Sequence, residues 1–306
     1  MKKSRNSKNL REIRGTLLIL LTAFISGMNI VINKFFVVKI DPLVFTASRA
    51  LLIGIVFFLI SLYVSKSTKK HFKKTSWTKL ILIGIIGGSF AFWLFFEGLK
   101  LTTAGRAAFI HKTLPIYAVI FAFVFLKEKI SKKYLIALTI MLLGLLLIEL
   151  SKLSLNVRIG DLLVLSATIL WAIENTLAKK VMTKKESNWI VTFSRMFFGS
   201  LILFAIIFLV GKTNILLSLN IQQISYIAIS ATLLLLYVLT WYWGLKYINL
   251  SKASTILLLS PVISLILGMI WLSETVLIPQ LIGSILILIG AYVVTKTKSE
   301  SRILGI

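Results

Sequence analysis

The sequence predicts an all-α polytopic membrane protein, ten transmembrane helices arranged as two inverted five-helix repeats. Three observations predict it. Hydrophobic residues make up 58% of the 306 and charged residues only 15%, more apolar surface than a soluble domain of this length can hide in one core. That surface falls into ten runs of the length that crosses a bilayer. The chain also repeats itself without a gap at an offset of 146 positions: Arg49 aligns with Arg195, Asn29 with Asn175, Pro115 with Pro261, Glu128 with Glu274 and Gly144 with Gly290. Matches among Leu and Ile carry little; the rarer Arg, Asn, Pro and Glu carry the signal. A duplicated membrane bundle is the architecture of a carrier that alternates a central site between two faces.

The runs fall at roughly 14–36, 42–65, 78–99, 104–127 and 132–150, then 160–182, 188–211, 222–247, 252–273 and 278–295. The first follows a basic tail, but it is long for a signal sequence and lacks a clear small-residue cleavage site, so it reads as retained. The second and the seventh start at Asp41-Pro42 and Ser187-Asn188, residue types that cap helix N-termini. The fourth and the ninth carry Pro115 and Pro261, which remove mid-helix hydrogen bonds and predict a bend in each. The carbonyls so freed are tolerable only against protein or water, which marks both prolines as candidate hinges. The domains are 14–150 and 160–295, and no extramembrane stretch is long enough for a folded domain.

The formal charge is +25. Basic loops flanking membrane spans explain it, and nucleic acid is not an expected partner. With the N-terminus inside, cytoplasmic segments hold 25 Lys and Arg and outer segments 7, while Arg49, Lys112 and Arg195 lie within spans. Both termini are therefore expected in the cytoplasm. Five spans per half is an odd number, so the halves enter from opposite faces. With no cysteine and only His71 and His111, neither a thiol site nor zinc is expected. No Walker-type loop is present, so no cofactor is expected. The expected partners are a small-molecule substrate and the lipid bilayer; the oligomeric state is open, and a monomer suffices for alternating access.

The stretch Gly98 to Ile148, GLKLTTAGRAAFIHKTLPIYAVIFAFVFLKEKISKKYLIALTIMLLGLLLI, and its mate from Gly244 to Val294 both resemble the end of an EamA repeat of the drug/metabolite transporter superfamily. Arg49 in TASRALL and Arg195 in TFSRMFF match the Arg near the start of the second helix of each repeat. The resemblance covers about residues 14–295. It implies a ten-helix plasma-membrane bundle that exports amino acids or other small metabolites, with a central cavity between the first, third, fourth, sixth, eighth and ninth spans. The first repeat departs from the pattern at His111-Lys112, where the family has small or apolar residues.

Ionisable groups inside a bilayer are costly unless they meet a partner or water, so each marks a candidate site. The first span carries Thr22, Ser26, Asn29 and Asn33 on one face, and the sixth carries Trp171, Glu174 and Asn175. As repeat mates, Asn29 and Asn175 are expected to face each other across the pseudo-twofold axis. Small polar residues also glue helices together, which is the alternative for Thr22 and Ser26. Glu174 and Lys112 either pair with each other or meet an ammonium and a carboxylate of the substrate. Glu97, His111 and Glu174 are proton-coupling candidates. Trp93, Tyr237 and Trp241 either pack or form a ligand cage, and Arg49 and Arg195 are read as structural. The expected function is a secondary active or facilitative transporter of small organic metabolites, with an amino-acid exporter foremost. A lipid-carrier flippase or a non-transporting scaffold is the alternative, and an enzyme is not expected.

Overall fold

The computed structural model describes residues 2–37, 39–68, 76–149, 157–184 and 186–298, and every regular element in it is helical. The first span is α1 (Lys2–Val37), whose 36 residues reach about 54 Å and outrun the bilayer. The second is α2 (Pro42–Thr68). The third is compound: α3 (Trp77–Ile83), a π-helical stretch Gly84–Phe90, and α4 (Ala91–Leu101). The fourth splits into α5 (Ala104–Lys112) and α6 (Leu114–Leu126), and α7 (Lys132–Glu149) closes the first half. The second half runs α8 (Ile159–Thr183), α9 (Asn188–Leu209), the short α10 (Thr213–Leu217) and α11 (Ile221–Tyr247). The ninth span divides into α12 (Leu250–Ile256), a 3-10 turn Leu257–Leu259 and α13 (Ser260–Leu272), and α14 (Ile278–Lys296) ends the series.

Nine spans among the described residues are long and apolar enough to cross a membrane. The remaining one, α7, is 18 residues long with Lys132, Lys133 and Glu149 at its ends, and it lies along α14, which does qualify. The protein is a multi-pass membrane protein of ten helices. Its packing follows the duplication. The most extensive contacts join α7 to α14, α2 to α9, α1 to α11, and α4 to α8. Two of these pairs are repeat mates, and the other two exchange when the halves are exchanged, so the pattern maps onto itself.

Two glycines decide how closely α7 and α14 approach. A Cβ on Gly144 would stand 2.5 Å from the Gly283 carbonyl oxygen and 2.9 Å from Ile287. Backbone cannot yield as a flexible side chain can, so Gly144→Val is expected to cost at least about 2 kcal/mol. A melting temperature of the purified variant equal to the wild type's would refute this packing.

The structure corrects several expectations. The fourth and ninth runs are broken helices, with each proline placed at the start of the segment after the break. Asp41 does cap α2, its Oδ1 accepting from the amides of Leu43 at 3.0 Å and Val44 at 3.3 Å. Ser187 occupies the cap position of α9 but makes no capping bond. Three basic residues counted as loop charges are buried. Lys179 donates to the carbonyls of Leu245 and Ile248, the otherwise unsatisfied end of α11. Arg106 pairs with Asp161, which also accepts from Thr102 at 2.5 Å. Lys252 donates to Glu12 Oε1 at 3.0 Å and to the Thr295 and Thr297 carbonyls at 3.1 and 2.7 Å. That contact ties the start of the first helix to the end of the last at one end of the bundle. Most of the basic loop at 66–74, His71 included, together with Lys152, Lys185 and Arg302, lies outside the described residues.

Candidate transport site

Polar groups converge where the second half of the bundle meets the broken third and fourth spans. Glu174 on α8 has no solvent exposure. Its Oε1 accepts from the Tyr242 hydroxyl at 2.6 Å, and its Oε2 faces Arg195 Nη2 at 3.5 Å. Arg195 Nη1 donates to the same Tyr242 hydroxyl at 3.2 Å. Three helices, α8, α9 and α11, are thereby tied through one charge pair. The pattern continues on α8 at the next residue and one turn back. Asn175 Oδ1 accepts from Trp241 Nε1 at 2.9 Å, and Trp171 Nε1 donates to the Gly87 carbonyl at 3.0 Å.

The Gly87 carbonyl belongs to the π-helical stretch. A π turn shifts the hydrogen-bond ladder by one residue and leaves carbonyls available to outside donors. Its glycines are needed here. A Cβ on Gly87 would overlap the Glu174 side chain, and one on Gly88 would overlap the Arg195 carbonyl. The Gly87-Gly88 pair was the available sequence signal of this feature, and periodicity did not reveal it.

His111, on α5, lies against this cluster. Its ring centroid is 4.7 Å from that of Trp171 and 5.6 Å from that of Phe95, and its buried Nδ1 has no hydrogen-bond partner among the described residues. Phe92 packs edge-on against Trp171 at 5.1 Å. Lys112 follows, and its Nζ donates to Ser260 Oγ at 2.7 Å. Lys112 directly precedes the break before Pro115, and Ser260 directly precedes Pro261. One hydrogen bond therefore joins the two proline breaks, across the two repeats. Ser260 was missed in the sequence; a polar residue next to the second proline was the available signal.

Several expected pairs do not form. Lys112 meets Ser260, and Glu174 meets Arg195 and Tyr242, so the two are not partners. Glu97 pairs with Lys100 at 2.6 Å on its own helix, with its side chain 36% exposed, and does not reach His111: the spacing on α4 favours the solvated neighbour. Asn175 bonds Trp241, while Asn29 stands 3.5 Å from Asn33 Nδ2, so the two mates have different partners. Trp93 packs with a cluster that includes Leu43, Val44 and Ala47 of α2. Tyr237 is half-buried, one turn from Trp241. Thr22 donates to Thr240 Oγ1 at 2.9 Å and does act as interhelical glue.

Comparison with known proteins agrees with this architecture. Residues 13–150 and 158–296 each match the EamA-like transporter family. The chain is similar to an uncharacterized transporter, YyaM, of Bacillus subtilis (strain 168), at 28% identity, with 87% of this chain and 88% of that protein covered. It is similar to an uncharacterized transporter of Archaeoglobus fulgidus, also at 28% identity, with 91% and 97% covered. One crystal structure superimposes with a TM-score of 0.74 at 16% identity, covering 92% of this chain and 98% of that one, a likeness of fold.

Proposed function

We propose that this chain, which belongs to the EamA-like transporter family, carries a small organic metabolite across the plasma membrane by alternating access. An amino acid or a close relative is the foremost substrate, and both termini face the cytoplasm. The carrier is secondary active or facilitative. The observation that supports this reading best is the Lys112–Ser260 hydrogen bond between the two proline breaks. Broken helices whose breaks meet at one polar contact provide what alternating access requires, two segments free to move against a shared centre.

In this reading Trp171 and His111 form the aromatic wall of the substrate site, and Asn175 and Trp241 set its floor. Lys112 changes partner as substrate enters. Glu174 is the acidic group that a substrate ammonium competes for against Arg195. Asn29, Trp93 and Tyr237 line the approach. A metabolite panel tests this. A ligand that binds the folded protein raises its apparent melting temperature, by about 2.7 kcal/mol of stabilisation at a hundredfold excess over Kd. Amino acids are expected to give the largest shifts and to show protein-dependent flux in liposomes. Purified, reconstituted protein that neither shifts with nor moves any member of the panel would reject the carrier reading.

A further inference from the structure

The two repeat arginines are equivalent in sequence but not in surroundings. Arg195 has Glu174 and Tyr242 as partners. At the offset of 146 positions the corresponding residues in the first repeat are Met28 and Phe96. The repeat position that holds the acid for Arg195 thus holds Met28 for Arg49. It is only 8% exposed. Among the described residues its side-chain contacts are a hydrogen bond from Nη1 to Ser230 Oγ at 3.0 Å and the face of Phe45 at 4.5 Å. Ser230 donates its own hydrogen bond to Asn33 Oδ1 at 2.6 Å, so the chain beyond Arg49 is neutral. On the other edge of the guanidinium, Nε is buried without a hydrogen-bond partner, as is Thr46 Oγ1 one turn earlier on α2.

A buried cation without a counter-ion is costly, and no acid pairs with Arg49 among the described residues. What remains open is Nε, which lies on the fork that takes both oxygens of a carboxylate. A single positive charge in apolar surroundings matches a single negative one. Arg49 and Arg195 reach α11 at Ser230 and Tyr242, twelve residues and about 18 Å apart along the axis. They stand at different depths, Arg49 nearer the start of α11 and Arg195 nearer its end.

We infer that Arg49 is an anion site on the transport path, where a carboxylate of the substrate takes the place that Glu174 fills for Arg195. The inference rests on the carrier reading and names the substrate class, a monocarboxylate or amino acid bound through its carboxylate. Arg49 receives the carboxylate, and the partner change of Lys112, which starts from Ser260, accompanies the movement of the two breaks.

The test uses the purified full chain with L-amino acids and short monocarboxylates, each measured against its own amide, by thermal shift and by flux in liposomes. The acid form is expected to bind at least about tenfold tighter than the amide, one bidentate pair's worth of discrimination. Met28→Glu builds the missing counter-ion into the first repeat. It is expected to melt above wild type without ligand and to lose the preference for the acid. Arg49→Gln removes a charge that has no counter-ion among the described residues and keeps a donor for Ser230, so it is expected to stay folded and to lose the same preference. Arg49→Lys keeps the charge but not the fork, and is expected to weaken acid binding less than Gln does. An acid-over-amide preference that survives in Arg49→Gln overturns the inference, as does a wild type that binds and moves amides as well as acids; the carrier reading survives both. A wild type that moves neither overturns the two together.

Discussion

Arg195→Met is expected to cost about 3–5 kcal/mol of stability, because it leaves Glu174 buried without its counter-ion. Glu174 cannot retreat. It has no exposure, the Gly87 backbone lies against its side chain, and the Tyr242 hydroxyl holds its other oxygen. Adding Glu174→Gln to Arg195→Met removes the stranded charge while keeping the shape and the hydrogen bond, so the double variant is expected to regain most of the loss. Melting of the four proteins in one detergent forms a double-mutant cycle. Arg195→Met melting at the wild-type temperature would mean that the pair contributes nothing to the fold. Glu174→Gln alone leaves Arg195 with Tyr242, and it is expected to remain folded while substrate flux falls. Normal flux by that variant at every pH would exclude Glu174 from the transport step.

Pro115→Ala and Pro261→Ala are each expected to slow flux by about tenfold, or about 1.4 kcal/mol on the rate-limiting barrier, while changing ligand affinity by less than about twofold. Each proline starts a helical segment just after a break. Alanine there restores an amide donor aimed at the carbonyl four residues back, His111 in one span and Leu257 in the other. A continuous helix resists the relative motion of its halves and biases the carrier towards one facing state. The Lys112–Ser260 bond couples the breaks, so the two variants are expected to resemble each other. Ligand binding to purified protein and flux in liposomes separate the two effects, and wild-type turnover in both variants would reduce the prolines to packing.

Much of this was legible before any tertiary structure, for reasons that are local. Hydrophobic span length depends only on the thickness of a bilayer, so ten runs of apolar residues became ten helical spans, three of them built from more than one segment. The duplication showed in rare residues at a constant offset, and the contact pattern that exchanges the halves follows from it. Prolines 115 and 261 were legible as points of weakness because the lack of an amide donor is a property of the residue itself, but the expected bends are breaks with each proline in the first turn of a new segment.

Composition and spacing could not say which charges meet. Glu174 and Lys112 were candidates for each other, yet Glu174 found Arg195 and Lys112 found Ser260, since partner choice depends on how helices far apart in sequence rotate about their axes. The positive-charge count treated Lys179, Arg106 and Lys252 alike as loop charges, whereas packing turned each into a buried clasp on a helix end or an acid. The π turn at Gly84–Phe90 left no periodic trace, because its one-residue shift makes sense only against the Trp171, Glu174 and Arg195 backbone and side chains it accommodates. The sequence by itself determined a duplicated ten-helix membrane bundle, because bilayer thickness and residue chemistry act along the chain. Only the tertiary structure decided that one repeat arginine meets an acid while the other, among the described residues, meets a serine hydroxyl and a ring, because burial and contact act across it.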